Sequence, residues 1–340
     1  MRVLSMAGLD LNTYHFDWDT TFAVLFMAPD GHVYHRYGNR DETDALSHIS
    51  MESLAATMRR TLSDHEEQGA TPGRASKAPW TVEQIPPMAK RIAEGKQQGC
   101  IHCHTVYDML AEDAKDKGTW KRSDVWAWPP SSRVGFRVDR HDQTRVVEVS
   151  PGTPAAKAGL AVGDRLVQFG EQSVATEGDV QFVLEGTPAQ GGTIPLTYRR
   201  GDSDATRTGR LTLGPGWREG GPTDLAYRNS VWKIGPRPGF GGKDLTAEEK
   251  RKLGLPEERF ALRVNYIVSW GQEASSGQNA QKAGIRKGDV VLSIDGEDQW
   301  NDERHWHAWF RMTRQPGKTA AVELLRGGKR LTVKLPILDR

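Results

Sequence analysis

The sequence predicts an α+β multidomain chain, and three observations carry that prediction. At 340 residues it exceeds what one ordinary core organises. Its second half repeats a segment: AKAGLAVGDRLVQF at 156–169 and QKAGIRKGDVVLSI at 281–294 share K-A-G-Φ-x-x-G-D-x-Φ-Φ-x-Φ, where Φ is apolar. Its first 65 residues follow a different plan, strand–turn–strand–helix. The charge balance, 46 basic against 44 acidic residues with no Lys/Arg-rich block, argues against a nucleic-acid or polybasic membrane partner. No apolar run approaches the roughly 18 residues of a spanning helix. The only two cysteines stand three apart, so no disulfide framework indicates a compartment.

In the first 65 residues, an apolar run Phe22–Met27 meets the turn Pro29-Asp30-Gly31, and a second strand follows from His32 to Tyr37. A helix follows in SHISMESLAATMRRTLSDH, with Ser50 or Ser53 as its N-cap and Met51, Leu54, Ala55, Met58 and Leu62 along one face. This order resembles the C-terminal half of a thioredoxin-like fold. The resemblance implies a preceding half with a redox C-x-x-C or its selenocysteine version. Only Arg2-Val3-Leu4 can represent a strand of that half, and Asp19-Thr20-Thr21 lack the proline such folds place there. Two readings follow: a redox-dead remnant, or a longer exported precursor. The opening Met1-Arg2-Val3-Leu4-Ser5 has no signal-peptide pattern, so a literal start implies a cytoplasmic protein and a longer precursor a periplasmic or otherwise extracytoplasmic one.

Residues 66–79 are polar and rich in Gly, Pro and Ala, and read as a linker. In the helical segment 80–124, Val82, Ile85, Met88 and Ile92 have helical spacing, and Pro86-Pro87 suit a helix start. A second helix is expected over Ile101–Leu110, with Cys100 near its start. Residues 99–104, GCIHCH, contain C-x-x-C-H and so resemble the attachment signature of c-type cytochromes. That resemblance implies haem c bound through Cys100 and Cys103, with His104 as the iron ligand. A segment of about 50 residues is small for enclosing a haem, and Met88 and Met109 are poorly placed as a second ligand, leaving His65 or His141 from elsewhere. The same residues fit three other readings: a zinc or copper site, a dithiol whose helix-start cysteine is activated, or an inert pair.

Around the repeated segment, further elements recur in order. RVGF at 133–136 and KLGL at 252–255 precede the copies. A helix (DVQFVLEG at 179–186, ERHWHAWF at 303–310) and a basic-ended strand follow them. Within each copy the first glycine closes a short helix, the second permits a tight turn and the aspartate caps it. Both copies resemble bacterial PDZ domains, partly open β-barrels with helices. The second departs in its insertion WGQEASSGQN at 270–279.

The PDZ resemblance implies loops that receive a terminal carboxylate at Arg133-Val134-Gly135-Phe136 and Lys252-Leu253-Gly254-Leu255. It places groove-facing helix residues at Val180 and Leu184 in the first copy, and at Trp306 and Phe310 in the second. Trp309 reads as core, Trp306 and Phe310 fit core as well as groove, and His305 and His307 read as exposed. Trp120, Trp126 and Trp128 fit either a haem face or domain packing. The implied domains are 125–214 and 244–340, joined by a connector 215–243 whose Trp217, Tyr227, Trp232 and Phe240 pack on a PDZ surface.

No G-x-S-x-G, GNSGG-like or H-E-x-x-H segment occurs, so the residues alone do not support proteolysis, and enzymatic activity stays open. The whole resembles bacterial proteins joining a thioredoxin-like domain to PDZ domains, some of them selenoproteins. The expectation is an extracytoplasmic redox or haem-binding protein whose PDZ pair binds C-terminal peptides or extended segments of partners. The alternative is a non-catalytic scaffold with a metal-binding or dithiol site at Cys100–His104.

Overall fold

Strand alternation and the Asp30-Gly31 turn produce the first elements. Strands β1 (Val24–Met27) and β2 (Val33–Tyr37) pair antiparallel, with Gly31 at φ 93° in the turn. Helix α1 (Met51–Gln68) follows, and the Ser50 hydroxyl accepts the Ser53 N–H at 3.1 Å. The structure is a computed structural model and describes residues 2–20, 22–42, 44, 46–68, 78–201, 203–271 and 274–338. Residues 69–77 of the expected linker lie outside the described residues. The chain divides into two units, Met1–Gly220 and Gly221–Arg340.

Two expectations for the N-terminal part are corrected. Helix α1 turns Ser53, Thr57 and Asp64 inward and leaves Met51, Met58 and Leu62 exposed. Its buried side meets polar groups: the Tyr37 hydroxyl donates to the Ser50 carbonyl at 2.7 Å, and His35 Nε2 lies 3.0 Å from Asp64 Oδ2. The thioredoxin-like half-sheet is also not built. β1 and β2 form a sheet of two strands, and Arg2–Leu4 are irregular and exposed.

Residues 6–18 cover a small helical core. A 3-10 turn (Val82–Gln84) leads into α2 (Pro86–Ala93), which opens on Pro86 as expected. Helix α3 (Cys103–Asp116) starts later than expected, with His102 as N-cap, so Cys100 precedes it. Met6, Leu11 and Trp18 close over Val82, Ile85, Met88, Ile101, Val106 and Met109. Met88 and Met109 are thus core residues.

The remainder of the first unit runs β3 (Phe136–Val138), β4 (Val146–Val149), α4 (Pro154–Lys157), β5 (Arg165–Phe169), β6 (Gln172–Ser173), α5 (Glu177–Gly186), β7 (Gly192–Arg199) and β8 (Thr206–Leu213). β3 pairs with β4, and a second sheet has the order β6-β5-β7-β8. Phe136, Val146, Leu166, Phe169, Val180, Leu184, Leu196 and Leu211 form its core.

The second unit contains β9 (Phe240–Asp244), α6 (Ala247–Lys252), β10 (Leu262–Ile267), α7 (Ala274–Lys282), β11 (Val290–Ile294), α8 (Glu303–Thr313), β12 (Thr319–Arg326) and β13 (Lys329–Pro336). Its strands form one sheet in the order β13-β12-β11-β10-β9. The 270–279 insertion lengthens the helix: α7 has 9 residues where α4 has 4, and residues 272 and 273 lie outside the described residues. Because β9 starts at Phe240, the second sheet begins inside the stretch read as connector.

The repeated segment folds alike in both units. Asp164 Oδ2 accepts the Ala161 N–H and Asp289 Oδ2 the Arg286 N–H, each at 2.8 Å. An arginine from a later strand or its end clamps each turn. Arg200 grips Asp164 and donates to the Gly159 carbonyl at 2.7 Å, while Arg326 grips Asp289 and donates to the Gly284 carbonyl at 2.6 Å. Gly159 (φ 89°), Gly163 (90°), Gly284 (99°) and Gly288 (91°) supply the left-handed turns that a side chain would oppose.

Candidate peptide grooves

A glycine-closed loop leads into β3 in the first unit. Gly135 has φ 99°, its carbonyl accepts the Ser150 N–H at 2.9 Å, and a Cβ there would lie 2.1 Å from Thr153 Oγ1. The matching position in the second unit is Gly239. It has φ 82°, its carbonyl accepts the Val268 N–H at 2.9 Å, and a Cβ there would lie 2.0 Å from the Ser276 carbonyl oxygen. Arg237-Pro238-Gly239-Phe240 therefore corresponds to Arg133-Val134-Gly135-Phe136, and β9 to β3.

The assignment of Lys252-Leu253-Gly254-Leu255 is corrected on this geometry. Lys252 ends α6, and the following three residues turn the chain between β9 and β10 without opening a strand. Both glycine-closed loops spell R-x-G-F, with Pro238 at the apolar place in the second.

The helix assignment is corrected as well. Val180, Leu184, Trp306 and Phe310 are all wholly buried in their cores, as is most of Trp309. The first residue of each helix, Glu177 in α5 and Glu303 in α8, carries a carboxylate that reaches out of the helix. Glu177 Oε1 accepts the Ser131 N–H at 2.7 Å, ahead of the first loop. Glu303 Oε1 accepts the Gly242 N–H of β9 at 2.8 Å and the Tyr266 hydroxyl at 3.2 Å. His307, expected to be exposed, is 3 % exposed and packs at a tilt against Trp232 with centroids 4.7 Å apart. Burial first, and the nearby Arg311 cation, push its pKa down to about 4 against the pull of Glu303, so it is neutral at pH 7.

Aromatic lead-ins cover both helices. Trp128 donates its backbone N–H to Glu185 Oε2 at 2.8 Å and packs its ring near His15 and Phe182. Trp126 lies under the Arg133 guanidinium, and Arg311 sits over Trp232. The sequence also hid an element of the first groove. β2 and the residues after it lie along α5: the Arg36 N–H donates to Asp179 Oδ1 at 3.0 Å, and its carbonyl oxygen would be 2.3 Å from a Cβ on Gly178. His35 is wholly buried between Asp179 Oδ2 at 2.8 Å and Asp64 Oδ2 at 3.0 Å. Burial alone pulls its pKa down, but the two carboxylates outweigh that and raise it to about 9.

Around the cysteines the geometry differs from an activated dithiol. Cys100 is exposed, and Cys103 is half-buried with Sγ 3.9 Å from the Thr20 carbonyl. Burial pushes the Cys103 thiol up from its ordinary range. His102 and His104 stack with centroids 5.6 Å apart. Among the described residues, no group of three or more His, Cys, Asp or Glu is placed to hold a metal ion.

Comparison with known proteins agrees with the repeat. Residues 145–200 and 271–337 each match a model described as a PDZ domain, so the chain contains two PDZ domains. A probable periplasmic serine endoprotease, DegP-like, of Marinomonas sp. (strain MWYL1) is 25% identical over 193 residues, covering 57% of this chain and 37% of the relative. The corresponding DegP-like protein of Rhizobium meliloti (strain 1021) is 39% identical over 93 residues, or 27% of this chain and 16% of the relative. Serine protease HTRA1 of Xenopus tropicalis is 41% identical over 59 residues, or 17% and 12%. The chain thus spans well under two thirds of each relative. The solved structure of the HtrA-type protease AlgW with decapeptide overlaps 39% of this chain and 37% of its own, at 24% identity and a TM-score of 0.25.

These relatives are serine endoproteases. That finding overturns the expected redox or haem-binding function, and with it the scaffold reading that rested on Cys100, Cys103 and His104.

Proposed function

We propose that this chain is a peptide-recognition protein of the HtrA/DegP type, whose PDZ domains bind extended or C-terminal segments of other proteins outside the cytoplasm. One observation carries the reading: the same loop–strand–helix unit is built twice, with a left-handed glycine locked against the next helix in each copy. In PDZ domains that unit receives a peptide as an added strand between strand and helix. The location follows the relatives named as periplasmic. The proposal concerns recognition alone.

The test uses a random decapeptide pool with free C-terminal carboxylates, passed over the immobilised full chain beside an identical pool with amidated ends. Enrichment of a defined subset is expected, at least tenfold stronger for the free carboxylates. Equal, unselective retention of both pools would remove the reading.

A further inference from the structure

The first PDZ domain already has something between its two walls. Residues Asn39, Arg40 and Asp41 are 1 %, 9 % and 4 % exposed, although they belong to no strand or helix. On the helix wall, Asn39 Nδ2 donates to Gln181 Oε1 at 2.6 Å, and Gln181 Nε2 reaches the Arg40 carbonyl at 3.5 Å. On the strand wall, Arg137 of β3 donates to Asp41 Oδ2 at 3.2 Å and also pairs with Glu42. The Ser132 hydroxyl, next to the glycine-closed loop, donates to Glu42 Oε2 at 3.3 Å.

The direction of this segment also fits a ligand. Arg36 lies at the N-terminal turn of α5, Asn39 and Arg40 lie one turn along at Gln181, and Glu42 ends beside Ser132. A PDZ ligand likewise runs with its C-terminal end toward the loop. Upstream, the buried His35–Asp179 and His35–Asp64 pairs fix the strand that delivers the segment.

We infer that Asn39–Glu42 is an internal pseudo-ligand of the first PDZ domain, and that this groove selects acidic segments. The inference rests on the peptide-binding reading above and names the ligand chemistry of that same site. Arg137 and Ser132 supply the positive charge and the donor that two consecutive acidic residues need, and Gln181 matches a carboxamide. A segment tethered a few residues away acts at millimolar effective concentration, so weak acidic peptides meet a filled groove. Their entry requires the segment to leave.

The probe is a fluorescein-labelled hexapeptide with the sequence of residues 37–42, Tyr-Gly-Asn-Arg-Asp-Glu, titrated into the full chain by anisotropy. The opened form is Asn39→Ala/Asp41→Ala/Glu42→Ala, which leaves both walls intact. A second opened form, Gly178→Ala, improves helix propensity while its methyl pushes Arg36 off α5. Either opened form is expected to bind the probe at least tenfold more tightly than the native chain. Adding Arg137→Glu should abolish the gain, and a probe ending in Lys-Lys should restore it, which an unfolded variant cannot do. In the native chain, millimolar probe should raise amide exchange across residues 38–42.

Equal tight binding to native and opened forms, lost with Arg137→Glu, would overturn the inference and leave the peptide-binding reading standing. Absence of probe binding in every form also overturns it. Enrichment from the decapeptide pool then decides separately whether peptide recognition survives in the chain. Unchanged exchange at residues 38–42 on adding probe overturns the inference without any variant.

Discussion

The two PDZ domains share one backbone plan but fill the space beside the helix with opposite chemistry. In the first, Gln181 engages a charged segment, and a doubly paired, charged histidine holds the strand that delivers it. In the second, the place of Gln181 is taken by His307, neutral, buried, stacked on Trp306 and tilted against Trp232. Glu303 there reaches across to the Gly242 N–H, where Glu177 of the first domain stays on the Ser131 N–H. The fold is set by the turn clamp and the core, and leaves the groove side free to vary. A polar cover can exchange with polar ligands, whereas an aromatic cover excludes water from the groups beneath it.

The sharpest way to break the comparison is at the loop glycines. A methyl on Gly239 meets the Ser276 carbonyl oxygen, part of the backbone of α7. Together with its positive φ, Gly239→Ala should destabilise the second unit by roughly 3–5 kcal/mol, and no side-chain substitution should rescue it. Gly135→Ala meets the Thr153 side chain first, so adding Thr153→Gly should recover part of its loss. Urea unfolding with pulsed amide labelling, read separately over β5–β7 and β11–β12, measures both. Equal rescue in the two units would end the distinction.

The next contrast is in pH. His35 has a folded pKa raised to about 9 from 6.5, so its stabilisation of the first unit is complete below about pH 6.5 and is lost as pH rises through 9. The slope should reach about 1.4 kcal/mol per pH unit at most. His35→Gln should flatten it. A slope that survives His35→Gln would assign it to other groups.

On the acid side the second unit moves the other way. His307 has a folded pKa lowered to about 4, so the unfolded chain binds its proton first, and stability falls as pH drops from about 6.5 toward 4. The same labelling series with His307→Gln should lose that part of the slope while the first unit stays unaffected. Parallel responses of the two units to pH would contradict the assignment of opposite charge states.

Legibility followed sequence distance. The repeat K-A-G-Φ-x-x-G-D was readable because each part acts locally: glycines take positive φ, and Asp164 and Asp289 cap turns three residues away. The loop of the second domain was missed because Pro238 replaced an apolar residue and KLGL imitated the pattern at a helix end. Helix α1 was given the wrong inward face because its partners, Tyr37 and His35, are polar groups of a neighbouring strand, and periodicity of apolar residues carries no trace of them. The segment Asn39–Glu42 was invisible for the same reason. Its partners lie about 90 to 140 residues downstream, and no local spacing links them.

Gly178 carries that history in one position. Glycine inside a helix sacrifices about 1 kcal/mol relative to alanine, and the equivalent place in α8 holds Arg304. The cost persists because the Arg36 carbonyl occupies the space of the absent methyl. A docked hairpin at this height of the helix requires a glycine second in it, and any side chain there would lift the hairpin away.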